Sequence, residues 1–205
     1  MPADLPPGFR ETVRARLAAF PRQGVADAAL IPAAVAVAVL ANRAGAPSFL
    51  LTRRAADLRR HAGQWALPGG RLDPGESAAA AALRELWEEV GVPSTGVELA
   101  GELDDYVTRS GHLITPVVLL LPPSPRLRPN PAEVAGVYRV PLAVLEASGN
   151  PILQQSAGAT TLRFRILGRL INPPTAAILH QLIEVAMHGR QTRVGHFVQP
   201  QFTWT

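Results

Sequence analysis

Three glutamates fall within five residues, Glu85, Glu88 and Glu89, directly behind Arg84 in the run RELWEEVGV. A helix turns about 100° per residue, so the spacing i, i+3, i+4 puts all three on one face. Carboxylates that close repel, and a position near the helix C-terminus, which carries partial negative charge, adds to the cost. Arg84, four residues before Glu88, offsets part of it. A divalent cation is the economical way to neutralise the rest. Oxygen donors in a chain with no cysteine favour Mg²⁺, Mn²⁺ or Ca²⁺ over Zn²⁺. A Mg²⁺ site of this kind completes its shell with substrate phosphates. Gly69 and Gly70, just upstream, let a backbone come near enough to lend a main-chain carbonyl. Taken alone, E-x-x-E-E on a helix is more often a solvated acidic face, so the surrounding sequence has to decide.

The elements that must hold these residues are legible. Ser77 is a cap signal and Gly91 a stop, giving a helix from about 77 to 90. Ahead of it, residues 33–40 alternate Ala and Val, a strand buried on both faces or packed by small residues. NRAGAP is turn chemistry, and SFLLTRR at 48–54 predicts a second strand that pairs with the first as a hairpin. Strand-like segments follow at 97–105, 113–121, 133–140 and 160–167. A short helix starts on Pro141. Helical periodicity marks 7–20 and 175–188. Strands mixed with two long helices predict an α/β sandwich on one mixed sheet. Residues 1–205 read as a single domain, with a helical extension at 1–28 and a tail at 190–205 whose structure the sequence leaves open.

The acidic triplet closes a longer pattern: Gly70, five residues, Glu76, seven residues, then Arg84-Glu85-Leu86-x-Glu88-Glu89-x-Gly91-Val92. This resembles the Nudix box, G-x5-E-x7-R-E-U-x-E-E-x-G-U with U aliphatic, at every required position. The resemblance implies an α/β/α sandwich with a mixed β-sheet, in which the box forms a loop, a helix and a loop. It implies hydrolysis of a diphosphate linked to another moiety, with Mg²⁺ or Mn²⁺. Carried over, Glu85, Glu88 and Glu89 are metal ligands with the carbonyl of Gly69. Glu85 is the candidate base that activates water, Arg84 holds the carboxylates, and Glu76 braces the loop. An acidic residue from a later loop often joins them, and Glu133, just before a strand, is the candidate.

The segment ahead of the box speaks to substrate. LLTRRAADLRRHAGQWALPGG, residues 50–70, resembles the signature of the coenzyme A diphosphatase branch, roughly L-L-T-x-R-[SA]-x3-R-x3-G-x3-F-P-G-G. Arg54 and Arg59 become candidate phosphate contacts, since a guanidinium forks to two oxygens. His61 and Gln64 become candidates for shaping the entry. Trp65 is either an adenine platform or a packed ring beside the sheet. Two positions depart: Leu67 stands where that branch usually has Phe, and INPPT at 171–175 replaces what is commonly I-W-G-x-T. The expected activity is cleavage of coenzyme A or its thioesters to 3′,5′-ADP and 4′-phosphopantetheine or its acyl derivative. The alternatives are another nucleoside diphosphate derivative (ADP-ribose, a dinucleotide, a nucleoside triphosphate) or a silent nucleotide-binding regulatory domain.

Composition narrows the partners. All 20 basic residues are arginine, and the net charge of +4 is too small to predict nucleic-acid binding. The absence of cysteine excludes a disulfide framework, a thiolate metal site and a Cys nucleophile. The most apolar stretch, 29–41, is too short to span a bilayer as a helix, which needs about 20 residues. It lies too far from the start for a signal peptide. The expectation is a cytoplasmic enzyme with a small-molecule partner, no nucleic acid and no membrane. A homodimer is left open.

Overall fold

The computed structural model describes residues 3–56, 63–156 and 158–200. Its elements in chain order are α1 (Phe9–Ala19), β1 (Ile31–Ala41), β2 (Pro47–Arg54), β3 (Trp65–Ala66), β4 (Gly69–Arg71), α2 (Ala78–Val90) and β5 (Glu98–Glu102). After these come β6 (Tyr106–Val107), β7 (His112–Leu120), β8 (Val134–Pro141), a 3₁₀ turn (Leu142–Glu146), β9 (Ile152–Ser156), β10 (Ala159–Ile166), β11 (Arg169–Ile171) and α3 (Thr175–Leu182). A π turn (Ile183–Met187) extends α3.

β1 and β2 form the expected hairpin, Val39 opposite Phe49, but they stay paired only at its turn end. Further along, β1 pairs with β4 (Val35 opposite Gly69) and β2 pairs with β3 (Thr52 opposite Ala66). The two long strands thus part, and the glycine loop wedges into the fork. On its other side β1 runs parallel to β7 from Ile31 to Val39, which makes the eight-stranded sheet mixed. β8 lies antiparallel on the outer side of β2.

The Ala/Val alternation of β1 has a physical purpose. Ala34, Ala36, Ala38 and Leu40 face one side, where Ala81, Ala82, Leu86 and Val90 of α2 complete a core. Alanines on both partners let helix and strand approach closely. Val37 and Val39 face the other side, where Val13 and Leu17 of α1 and Ile178, Leu179 and Leu182 of α3 complete a second core. The sheet is therefore sandwiched between helical layers. α2 begins at the Ser77 cap, whose side chain accepts from the Ala80 N–H, and ends at Gly91 with φ 72°. That left-handed conformation suits glycine.

One expectation is corrected. The strands do not all join one sheet, because β9, β10 and β11 form a separate three-stranded sheet. The described part of the tail, residues 190–200, packs onto the rest of the fold. Phe197 bridges to Thr160, and the Tyr106 hydroxyl donates to the Phe197 carbonyl. Arg193 donates to both Asp104 carboxylate oxygens at 2.8 and 3.0 Å, and buried Gln181 donates to the same group at 2.7 Å. This network ties the tail and α3 to the loop after β5. Among the described residues, no helix is long and apolar enough to cross a membrane.

Candidate active site

Arg84 organises the box. Its Nε and Nη2 each donate to Glu76 at 3.0 Å, and its Nη1 donates to Glu85 at 2.8 Å and Glu88 at 3.0 Å. Nη2 also donates to the carbonyl of Arg71 at 3.0 Å. Glu76 accepts in turn from the Asp73 N–H, so the guanidinium fastens the loop to the helix. Those bonds, Arg84 first, hold the Glu76 carboxyl below its ordinary value.

Gly70 faces Glu85. A Cβ there would overlap the Glu85 carboxylate and come within 2.6 Å of its Cδ, so any larger residue would displace that side chain from its place. Gly69 is as confined, with Val35 Cγ1 2.7 Å from where its Cβ would stand.

Glu89 differs from its neighbours. Glu88 is half exposed, whereas Glu89 retains only 5% of its accessible surface. Burial pushes the Glu89 carboxyl up to about 8, and the charges of Glu85 and Glu133 push the same way. Arg54, with Nη1 3.8 Å away, and a hydrogen bond from the Gly69 backbone pull it back. Burial also raises Glu85, against the opposing pull of Arg84.

Arg54 and Glu133 reach this cluster through strand pairing. A bulge between Arg53 and Arg54 interrupts the β2–β8 ladder, where Arg54 pairs with Val134. The Ala55 N–H donates to the Glu133 carbonyl at 2.9 Å, and the Arg54 N–H to the Gln64 carbonyl at 2.9 Å. The Arg54 Nε is buried with no hydrogen-bond partner among the described residues. Arg54 and Gln64 line a cavity of about 570 Å³ that also takes in Gly69, Gly70 and Trp65. Trp65 packs on Tyr138 with ring centroids 4.7 Å apart. Arg59 and His61 lie outside the described residues.

The donor set suits a hard divalent cation: carboxylate oxygens, a glycine backbone beside them and no sulfur or nitrogen. As they stand, no three of the described acidic or imidazole side chains gather closely enough to enclose one ion. Arg84 engages Glu85 and Glu88, and both would have to turn from it toward Glu89.

Several features here carried little or no local signal. The Arg71 carbonyl and the choice of Tyr138 as the partner of the packed Trp65 ring arise from the fold, and the lining from β11 and the turn into α3 showed in the sequence only as the INPPT departure.

A carboxylate-bearing helix behind a glycine loop, set into the fork of a mixed sheet between helical layers, is the arrangement of a Nudix fold. Residues 31–157 match the family model of the NUDIX domain, and the chain belongs to the Nudix hydrolase family. It is similar to a protein of Photorhabdus laumondii subsp. laumondii named uncharacterized Nudix hydrolase NudL. The two are 45% identical over 143 residues, which is 67% of this chain and 76% of that one. A protein of the same name from Yersinia pestis (strain Pestoides F) is 46% identical over 97 residues, 47% of this chain and 49% of that one. The chain thus spans about half the length of the Yersinia relative. Among solved structures, a C. elegans Ap4A hydrolase binary complex is 24% identical, covering 56% of this chain and 82% of that one, with a TM-score of 0.46. The chain is a diphosphate-hydrolysing enzyme, of a family that generally uses divalent metal ions.

Proposed function

We propose that this enzyme hydrolyses the diphosphate of coenzyme A or its thioesters in the cytoplasm, using Mg²⁺ or Mn²⁺, to 3′,5′-ADP and 4′-phosphopantetheine or its acyl derivative. Glu85, Glu88, Glu89 and the Gly69 carbonyl are the metal ligands. When bound, the ion neutralises phosphoryl oxygens and lowers the pKa of water. Glu85 takes the proton from the attacking water. The water oxygen bonds to a diphosphate phosphorus, the bridging P–O bond breaks, and the leaving phosphate carries the electron pair away. Arg84 and Glu133 set the position and charge of the carboxylates. Gln64 shapes the mouth of the cavity, and Arg59 and His61 are assigned to the same region from their motif alone.

The observation that carries the substrate assignment is Arg54. Its sequence context, LLTRRA, belongs to the segment that resembles the coenzyme A branch. Its buried Nε lacks a partner among the described residues, it lines the cavity, and it lies beside Glu89. A phosphate oxygen is the partner such a guanidinium calls for. Side-by-side turnover of coenzyme A and ADP-ribose tests the reading. A higher kcat/KM for coenzyme A is expected, and a clear preference for ADP-ribose would overturn it.

A further inference from the structure

The cavity that starts at Arg54, Gly69 and Gly70 continues to a wall built from β11 and the turn into α3. Leu170, Ile171, Pro173, Pro174 and Ile178 make that wall largely apolar. Set among them is Asn172, whose side-chain Oδ1 is buried with no hydrogen-bond partner among the described residues. Its backbone carbonyl accepts from the Ala176 N–H at 3.1 Å, which anchors the residue at the start of α3. A buried polar group without a partner is costly and uncommon, so the place to look for one is the cavity that it lines.

The chemistry of the missing partner follows from the side chain and its surroundings. Whichever way it is turned, a carboxamide offers an acceptor at one end and donors at the other. A secondary amide, with one N–H and one C=O, complements either orientation. A sugar would also pair with Asn172, but its hydroxyls against Leu170, Ile171 and the prolines would go unpaired, and only those reaching polar groups such as Thr108, Ser110, Thr175 or Gln199, which also line the cavity, would find partners. An arm of apolar carbon interrupted by amides meets both requirements. The volume of about 570 Å³ is in the range of sites for cofactor-sized ligands.

We propose that Asn172 is a specificity-determining residue whose carboxamide pairs with a secondary amide on an apolar arm of the substrate, the turn from β11 to α3 forming the subsite for that arm. The inference rests on the function proposed above for what occupies the other end of the cavity.

Isothermal titration of the full chain with 4′-phosphopantetheine tests it without requiring turnover. Asn172→Leu keeps the branched shape at slightly greater bulk and removes the carboxamide. It should weaken 4′-phosphopantetheine binding about tenfold and leave 3′,5′-ADP binding within about twofold. In steady state, KM for coenzyme A should rise about tenfold with kcat held within about twofold. Asn172→Ala, which adds no bulk, is the second variant if the first is unstable. Equal 4′-phosphopantetheine affinity in wild type and variant overturns the inference, as does no binding to the wild type. Preference for ADP-ribose over coenzyme A in turnover overturns the proposed substrate instead, so the two failures are distinguishable.

Discussion

Glu89→Gln should make the protein more stable and inactive at once. In the folded chain the Glu89 carboxyl is pushed up to about 8 from an ordinary 4.5, chiefly by burial. An acid whose folded pKa is raised resists ionisation in the fold, so stability is full below about pH 4.5 and declines as pH rises toward 8. At pH 7 the unfolded chain has released that proton and the folded chain largely has not. The gap between 4.5 and 7 corresponds to about 3 kcal/mol at about 1.4 kcal/mol per unit. Glutamine has nearly the same shape and no charge to suppress. In chelator at pH 7 the variant should therefore gain up to about 3 kcal/mol, or roughly 6–12 °C for a chain of this size. The gain should shrink toward zero at pH 4. Added Mg²⁺ should stabilise the wild type by mass action and do much less for the variant. Turnover should fall more than about 100-fold. Thermal melts across pH 4–8, with and without Mg²⁺, read all of this. A variant that is no more stable at pH 7, or whose advantage does not vary with pH, would refute the reasoning.

Other outcomes follow from the same geometry. Gly70→Ala drives a methyl into the Glu85 carboxylate, so kcat should drop about 100-fold in a steady-state assay, while the melting temperature falls by only a few degrees. Arg84→Gln removes the bonds to Glu76, Glu85 and Glu88. Activity should fall by at least tenfold, without recovery at high substrate, because the loss is in positioning rather than binding. Arg193→Ala leaves buried Asp104 with Gln181 but no cation, and denaturant titration should show a loss of about 2–3 kcal/mol. EDTA should abolish turnover, and excess Mg²⁺ or Mn²⁺ should restore it.

Local sequence signals were reliable where the cause was itself local. Ser77 and Gly91 mark the ends of α2 to within a residue because capping depends on neighbouring backbone groups. The alternation in 33–40 was legible as a strand, and both offered reasons hold, since alanines face α2 and valines face α1 and α3. The strands flanking the glycine loop were not legible. β3 and β4 have two and three residues, too few for any period, and exist because β1 and β2 part. β9 reads ILQQS, with Leu153 exposed, so it lacks the alternation that reveals a half-buried strand. In the site, Glu85, Glu88 and Glu89 share a face by helical geometry alone. The approach of Arg54 and Glu133 to Glu89 needs the pairing of β2 with β8, about 80 residues apart in sequence. Asn172 had no signal beyond its departure from a related pattern.

Incubation with coenzyme A and Mg²⁺, followed by identification of the products, tests the central claim most directly. The account predicts 3′,5′-ADP and 4′-phosphopantetheine in equal amounts, formed by wild type and lost in Glu89→Gln. Intact coenzyme A after prolonged incubation, or release of its 3′-phosphate with the diphosphate uncut, would contradict it.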